Sequence, residues 1–235
     1  MADNTGAAEA KPQPKFSWDY DVPDTPFWRD LPFVAGRNFL TCYTDSEISE
    51  LNLDGTLPVP SKLSLLLSHL ETRLAQRKAA ASPVELHIAD PDEWQRLMLG
   101  IQTMQSQLKM LPEEAETLRI MLATSQGNSR LSWLNMTAAY KLQIGEYAEA
   151  EALERQVLPW MQTSERMGPD SPQALGTTRR IIEAMWKQGG SKVGEARKLA
   201  AETAELIEAM GTSKFAKYQD EERQMLQEVL AQLDI

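Results

Sequence analysis

The stretch IGEYAEAEAL, Ile144 to Leu153, joins two runs of helix-favouring residues through a glycine. Gly145 has no Cβ, so it is the least strained residue for the turn between two paired helices. Tyr147 follows at the start of the second run, and the small Ala150 lets the second helix approach the first closely. The stretch therefore predicts a helical hairpin rather than a site of chemistry.

Residue composition extends this prediction to most of the chain. Of the 235 residues, 42% are hydrophobic and 25% are charged, which are ordinary values for a soluble protein with one sizeable domain or two small ones. From about residue 61 onward Ala, Leu, Glu, Gln, Met and Lys dominate, and these are strong helix formers. The spacing of apolar residues indicates about eight helices and no convincing strand. We therefore expect an all-α fold.

Local start signals place several of these helices. Asp90 followed by Glu93 has the spacing of an N-terminal helix cap, and Ser171 has the same role before the next proline. Ser61 is interpreted as the cap of a leucine-rich helix. A last amphipathic helix is expected over residues 213–234.

Three regions differ in composition. Residues 1–15 carry no large apolar residue after the first methionine, and we expect a disordered tail. Residues 16–60 form an arm that is rich in proline and contains half of the aromatic residues of the chain. We expect this arm to be irregular and packed on the helical domain, because proline breaks long helices and aromatic surface is costly to expose. Residues 61–235 are predicted to form a helical repeat domain with a C-terminal capping helix.

Charge and cysteine content argue against several classes of function. The net charge of −10 argues against binding to nucleic acid or to an anionic membrane surface, where Lys and Arg must neutralise phosphates. Cys42 is the single cysteine, which excludes an intrachain disulfide and a cysteine-based zinc site. No apolar run reaches the roughly 20 residues of a membrane helix, and the N-terminus lacks the apolar core of a secretory signal. We expect a soluble, cytoplasmic protein.

Residue types that carry catalysis are sparse. His69 and His87 are the two histidines, and they are not at metal-ligand spacing. The chain has no phosphate-binding loop, no dinucleotide-binding glycine motif and no metalloprotease or serine-hydrolase motif. Cys42 lies among aromatic residues and is interpreted as a small buried residue rather than a nucleophile. The sequence predicts no metal and no cofactor.

A helix, a glycine turn and a second helix with small residues resemble the tetratricopeptide repeat, a motif of about 34 residues. The residues at the spacing of that family are Trp133, Met136, Tyr140, Tyr147 and Ala150. The chain departs from the pattern at three positions. Gly145 comes one residue late, Thr137 replaces an early glycine, and Glu154 stands where a bulky aromatic residue is usual.

A second copy of the pattern follows further along the chain. It is carried by Ile181, Ile182, Met185, Gly189, Glu195 and Ala196. The joining loop RMGPDSPQAL resembles the linkers of kinesin-light-chain-type repeats. The resemblance covers about residues 112–211 and implies antiparallel helix hairpins stacked as a short right-handed superhelix with capped ends. An unrelated bundle of helical hairpins is the alternative.

The resemblance also implies a concave groove lined by the first helix of each repeat. The groove positions carried over by register are Leu134, Ala138, Lys141 and Leu142 in one repeat, and Arg179, Glu183, Trp186 and Lys187 in the next. Cations beside a tryptophan suit a peptide that contains acidic and aromatic residues. Alternatively, these cations only pair with neighbouring glutamates on the helix surface.

The aromatic arm bears on what the groove can do. Trp18, Phe27 and Trp28 could pack within their own chain, wall or plug the groove, or swap into a second copy to form a homodimer. An open groove predicts a non-enzymatic adaptor that binds a peptide or protein partner. A closed pocket predicts a cofactor-independent enzyme, a cyclase or isomerase that acts on an apolar small molecule. A structural self-associating module is the third hypothesis.

Overall fold

The computed structural model describes residues 20–234, and every regular element in that range is helical. The predicted all-α class is therefore confirmed. The α-helices are α1 (Phe33–Leu40), α2 (Asp45–Glu50), α3 (Val59–Ala81), α4 (Leu86–Ala89), α5 (Pro91–Gln107), α6 (Leu111–Thr124), α7 (Gly127–Gln143), α8 (Tyr147–Thr163), α9 (Pro172–Gln188), α10 (Lys192–Glu208) and α11 (Gln219–Leu233). Two 3₁₀ turns, Ala209–Thr212 and Ala216–Tyr218, connect α10 to α11. None of the helices in the described range is long and apolar enough to span a membrane.

The chain divides into two compact units, of which the first ends at Lys109 and the second begins at Met110. The first unit contains α1 to α5 and the second contains α6 to α11. Within the first unit α3 packs against α1 and α5. The boundary expected at residue 60 stays a prediction. The predicted tail, residues 1–15, lies outside the described residues.

The aromatic segment is less irregular than expected, because it contains α1 and α2. No proline interrupts residues 33–57, so the chain is free to form helix there. Phe27 and Trp28 are buried, with their ring centroids 5.0 Å apart in an edge-to-face contact. Trp28 lies 5.8 Å from the ring of Phe39 on α1, and Phe39 stacks on Tyr43 at 4.8 Å. These rings therefore form part of the core of the first unit.

A buried lysine fixes the start of this segment. Lys62 on α3 is only 1% exposed, and its Nζ donates a hydrogen bond of 2.8 Å to the carbonyl of Pro26. The same ammonium lies 5.6 Å from the ring of Phe27 and 3.8 Å from the carboxylate of Asp30. Because a buried charge is costly unless it is hydrogen-bonded, this arrangement ties the residues before α1 to α3.

Glu93 on α5 connects three helices of the first unit. Its carboxylate accepts hydrogen bonds from Arg73 and Arg77 of α3, at 3.2 and 3.0 Å, and from Arg96 at 2.8 Å. Arg73 also donates to Glu47 of α2 at 2.7 Å. Burial by itself raises the pKa of Glu93, but the hydrogen bonds from Arg96 and Arg73 and the charge of Arg73 outweigh it. The pKa of Glu93 therefore lies below its ordinary value.

Helices of the second unit pack in chain order, with α7 against α8, α8 against α9 and α9 against α10. Each of these four helices has 17 residues, so neighbouring helices match in length. α7 also contacts α9, and α11 packs against both α9 and α10. One apolar cluster of this unit consists of Val157, Met161 and Ala174, with Leu134, Leu158, Trp160 and Met167 packed around it. This cluster joins α7, α8 and α9.

The hairpin predicted from Ile144 to Leu153 is confirmed. Gly145 has a φ of +84°, in the left-handed region that favours glycine. Its N–H donates to the carbonyl of Leu142 at 3.2 Å, which ends α7. Ala150 is buried, as expected for the point of closest approach between α7 and α8.

The predicted helix caps are correct at two of three positions. Asp90 Oδ1 accepts from the N–H of Glu93 at 3.0 Å, and Ser171 Oγ accepts from the N–H of Ala174 at 3.2 Å. The prediction for Ser61 is wrong, because α3 begins two residues earlier, at Val59. The proline that follows Val59 has the backbone angle of a first helical turn, so it extends the helix toward the N-terminus.

Replacing Gly145 by alanine is expected to lower the free energy of unfolding of the second unit by about 1 kcal/mol, because a Cβ disfavours a positive φ. Gly194→Ala on α10 is the matched control, since no heavy atom would lie within 4 Å of the added Cβ. We expect Gly194→Ala to leave stability unchanged or to raise it by about 0.5 kcal/mol. Urea unfolding followed by circular dichroism measures both variants, and equal effects would contradict this account of the turn.

Replacing Glu93 by glutamine is expected to cost about 2–3 kcal/mol at neutral pH, because largely buried Arg73 keeps its charge but loses a carboxylate. The lowered pKa of Glu93 means that its stabilisation is present above the ordinary glutamate range and is lost as the pH falls through the folded pKa. The difference in the free energy of unfolding between wild type and variant, measured by urea titration, should therefore shrink as the pH is lowered. Asp24→Asn, in the exposed pair with Arg29, is the control and should leave the midpoint unchanged.

Candidate binding site on helix α9

The middle of α9 carries two consecutive arginines, each hydrogen-bonded to a buried glutamate of a different helix. Arg180 donates from Nε to Glu154 of α8, and Arg179 donates from Nη1 to Glu222 of α11. Glu154 is 1% exposed and Glu222 is 3% exposed, whereas the side chain of Arg180 is 28% exposed. Because consecutive residues of a helix project about 100° apart, the two arginines reach neighbours on different sides of α9.

Asn135 of α7 extends the network around Arg180. Its Nδ2 donates to Glu154 Oε2 at 2.7 Å and to Thr177 Oγ1 at 3.0 Å. Arg180 Nη2 donates to the same Thr177 hydroxyl at 3.3 Å. One connected set of hydrogen bonds therefore spans α7, α8 and α9, which holds the guanidinium of Arg180 in a fixed orientation.

Burial raises the pKa of both glutamates in this region. For Glu154 the loss of hydration outweighs the charge and hydrogen bond of Arg180 and the hydrogen bond of Asn135. For Glu222 burial likewise outweighs the hydrogen bond and charge of Arg179. Each carboxylate is thus held in its charged form less favourably than a glutamate in water.

Glu151, one turn before Glu154 on α8, has the opposite behaviour. It accepts hydrogen bonds from Lys192 of α10 and Gln188 of α9, both at 2.9 Å, and from Arg155 at 2.8 Å. Burial raises the pKa of Glu151, but these hydrogen bonds together outweigh it, and its pKa lies below the ordinary value. The pKa values of two glutamates on one helix are therefore shifted in opposite directions, downward for Glu151 and upward for Glu154.

Gly176 lies one turn before the two arginines on α9. A Cβ built on Gly176 would lie 3.6 Å from Arg179 Nη2 and 3.9 Å from Arg180 Nη1. Apart from chain neighbours and the backbone of the same helix, no other heavy atom of the described residues lies within 4 Å of that point. The surface above Gly176 is therefore a small space with two guanidinium nitrogens within 4 Å of it. We call Gly176, Arg179 and Arg180 the α9 notch.

The groove positions predicted on α7 have neighbours of their own. Ala138 is fully buried, and Leu134 packs on the apolar cluster between α7, α8 and α9. Lys141 forms ion pairs with Glu146 and Glu149 at the turn into α8. Leu142, the remaining position, is partly buried.

Of the groove positions predicted on α9, two have side-chain contacts with other helices, and the other two differ in exposure. Arg179 is bonded to Glu222, and the ring of Trp186 lies 5.4 Å from the guanidinium carbon of Arg197 on α10. Glu183 is partly buried, whereas Lys187 is exposed and has no ion pair or hydrogen bond within residues 20–234. In the same range no polar or ring contact joins Lys141, Arg179 and Trp186 to one another, so their shared groove stays a prediction.

The predicted wall residues Phe27 and Trp28 lie in the core of the first unit, as described above. Trp18, the third of them, lies outside the described residues. Their role as a wall of the groove stays a prediction.

Other candidate groups for chemistry are engaged in structural contacts. Cys42 is 2% exposed, and burial raises the pKa of its thiol to about 12, so it is protonated at neutral pH. The ring of His69 packs on Phe39 at 6.4 Å, and His87 Nδ1 lies 3.1 Å from a carboxylate oxygen of Glu85. The described part of the chain holds no group of three His, Cys, Asp or Glu residues arranged to bind a metal ion.

An open depression of about 430 Å³ lies at the turn between α7 and α8. Its lining consists of Gly145, Glu146, Tyr147, Ala148, Glu149 and Gln188. Two carboxylates and an opening to solvent distinguish it from the enclosed, mostly apolar pockets that hold small molecules.

Sequence reasoning missed the partners that hold the arginines. Asn135, Glu154, Arg180 and Glu222 were not among the predicted site residues. One signal was present in the sequence, because Glu154 stands at a position where the repeat pattern has a bulky aromatic residue. A glutamate at a core-facing position of a helix requires a buried partner, and the guanidinium of arginine is well suited to buried ion pairs.

The chain was compared with protein-family models, with curated proteins and with solved structures, and none of them matches it. The geometry of α9 and of the helices that pack on it is therefore the basis for inferring function.

At neutral pH, replacing Glu151 by glutamine is expected to cost about 1–2 kcal/mol, because Lys192 and Arg155 lose their carboxylate partner. The lowered pKa of Glu151 means that this stabilisation is lost as the pH falls through the folded pKa. The difference between wild type and Glu151→Gln should therefore shrink on acidification in urea titrations.

Glu154→Gln is expected to show the opposite pH slope. The raised pKa of Glu154 means that the wild type is most favoured with this carboxyl protonated and loses stability as the pH rises through the folded pKa. Glutamine does not ionise, so the free energy of unfolding of the variant should rise relative to that of the wild type as the pH increases above the ordinary glutamate range. For each variant, the measured quantity is the free energy of unfolding relative to wild type, plotted against pH. Equal slopes for Glu151→Gln and Glu154→Gln would contradict the different environments assigned to the two glutamates.

Proposed function

We propose that the second unit is a non-enzymatic adaptor that binds a peptide or protein segment on the face formed by α7 and α9. The observation that carries this proposal is the fixed pair Arg179 and Arg180, which buried Glu222 and Glu154 hold in place on α9. Side chains that are already ordered lose less entropy on binding. Arginine is also among the residues that contribute most to the affinity of protein interfaces.

The packing of the helices supports the repeat architecture that this function requires. Consecutive helices α7 to α10 contact one another in chain order, and α7 contacts α9 directly. In a tetratricopeptide-like stack, α7 and α9 would form the inner layer, and α8 and α10 the outer layer. We infer a short right-handed superhelix in which α11 is the C-terminal cap, in agreement with its contacts to α9 and α10.

The C-terminal part of α9 suggests the chemistry of the bound segment. Lys187 is exposed and unpaired within the described range, and the ring of Trp186 is partly exposed one residue earlier. An acidic side chain of the ligand would pair with Lys187, and an aromatic side chain would pack on Trp186. The proposed partner is therefore a peptide segment that combines acidic and aromatic residues.

The alternative function, a cofactor-independent cyclase or isomerase, requires an enclosed apolar cavity that excludes water. The depression at Gly145 is open to solvent, and its lining includes the carboxylates of Glu146 and Glu149. This depression does not favour the enzymatic alternative.

A random peptide library displayed on phage and selected against the full chain tests the adaptor function. We expect the enriched peptides to combine acidic and aromatic residues. Trp186→Ala and Lys187→Glu should each weaken a selected synthetic peptide at least tenfold in calorimetric titration, or by about 1.4 kcal/mol. Lys198→Glu on α10, where the side chain is 80% exposed, is the matched control and should retain wild-type affinity.

Two outcomes would overturn the proposal. One is a selection that enriches no peptide over an unrelated helical protein used as the bait control. The other is a set of selected peptides that bind the Trp186→Ala and Lys187→Glu proteins as tightly as the wild type, because their site would then lie away from α9.

A further inference from the structure

We propose that the α9 notch, formed by Gly176, Arg179 and Arg180, binds an oxyanion group, either a carboxylate or a phosphate. This inference rests on the proposed function, because the oxyanion would belong to the segment bound on the face of α7 and α9. It adds a defined point of attachment that neither Trp186 nor Lys187 supplies.

The nitrogens that flank Gly176 are the ones least used by the glutamates. Arg179 bonds Glu222 through Nη1, whereas its Nη2, on the side of Gly176, has only the thioether of Met225 at 3.3 Å. A thioether sulfur is a weak acceptor. Arg180 uses Nε and Nη2 for its hydrogen bonds, and its Nη1, also on the side of Gly176, has no partner within residues 20–234.

The distances suit one oxyanion shared by both arginines. The point 3.6 Å from Arg179 Nη2 and 3.9 Å from Arg180 Nη1 lies directly above Gly176. An oxyanion has two or more oxygens, so a group bound above Gly176 would accept a charge-assisted hydrogen bond, of roughly 2.7–2.9 Å, from each nitrogen. The glutamates hold both guanidiniums in place through other nitrogens, Nη1 of Arg179 and Nε of Arg180, so neither side chain has to reorganise.

Packing does not explain the glycine at position 176. Glycine inside a helix is destabilising relative to alanine, yet an added Cβ at this position would make only ordinary contacts, none closer than 3.6 Å. The same Cβ would occupy the space beside the two guanidinium nitrogens. Close approach of a ligand is a recognised reason for glycine, and the position beside two arginines identifies the ligand group as an anion.

Charge balance sets the expected strength of the contact. The two arginines and the two glutamates sum to zero when all four are ionised, so an oxyanion gains hydrogen bonds without a large net attraction. We expect an isolated acetate or phosphate ion to bind with a Kd on the order of 10 mM. Within a longer ligand such a contact fixes register and orientation more than it adds affinity.

Nuclear magnetic resonance of the full, ¹⁵N-labelled chain tests the notch with sodium acetate in one titration and sodium phosphate in another, at ionic strength held constant with sodium chloride. We expect the backbone amide of Gly176 and the Nε–H signals of Arg179 and Arg180 to shift together and to saturate. Tighter binding of acetate assigns the site to a carboxylate, and tighter binding of phosphate assigns it to a phosphorylated group. Shifts spread evenly over the lysines and arginines would mean an adventitious ion only and would overturn the proposal.

Gly176→Ala is the decisive variant, because it fills the notch without removing a charge. We expect it to weaken binding of the preferred ion at least fivefold while its melting temperature stays the same or rises, which excludes unfolding as the cause. Gly194→Ala, which would add a Cβ with no neighbour within 4 Å, is the matched control and should bind like the wild type. Equal affinity of Gly176→Ala and wild type for the ion would overturn the proposal that the α9 notch binds an oxyanion.

The two proposals fail separately. If the ions bind at Gly176 but the phage selection enriches no peptide, the adaptor function is wrong and the notch is retained as an anion site. If selected peptides depend on Trp186 and Lys187 but neither ion shifts the Gly176 amide, the notch is wrong and the adaptor function is retained.

Discussion

Hydrogen-bonded ion pairs between a buried glutamate and an arginine of another helix hold the helices of both units in register. Glu93 of α5 gathers arginines of α3 in the first unit, and Glu154 and Glu222 hold α9 to α8 and α11 in the second. Apolar packing disfavours misaligned helices through lost contacts, and a buried carboxylate adds a directional requirement because its hydrogen bonds form in one alignment only. The same pairs fix the arginines of α9, so the constraint that aligns the helices also prepares the candidate binding surface.

The parts of the fold that could be predicted from the sequence are those set by local geometry. The turn at Gly145 and the cap at Asp90 depend on residues within one helical turn, and both have the expected geometry. The helical content of the aromatic segment was missed, because α1 gains its stability from contacts with α3 and α5, far along the chain. Pro23, Pro26 and Pro32 all precede α1, and a helix of eight residues depends mostly on tertiary packing, which the isolated segment does not reveal.

The candidate site was predictable only in part, for a related reason. Register within a helical repeat identified α9 and Arg179, but Glu222 lies 43 residues away from Arg179 and Glu154 lies 26 residues away from Arg180. Which glutamate meets which arginine depends on how three helices pack and on side-chain rotamers, and neither leaves a periodic pattern in the sequence. The departure at Glu154 marked a buried charge without naming its partner. The space above Gly176 likewise exists only once both arginines are placed.

Because Cys42 is buried, the reactivity of its thiol can be used to measure local opening of the first unit. The chain has one cysteine, and its Sγ lies 3.3 Å from the carbonyl oxygens of both Asn38 and Arg96, which share its single S–H donor inside the first unit. Because Cys42 is 2% exposed, a thiol reagent reaches that sulfur during fluctuations that open the packing around the turn between α1 and α2. The rate of thiol modification in the intact protein therefore measures how often the first unit opens around this cysteine.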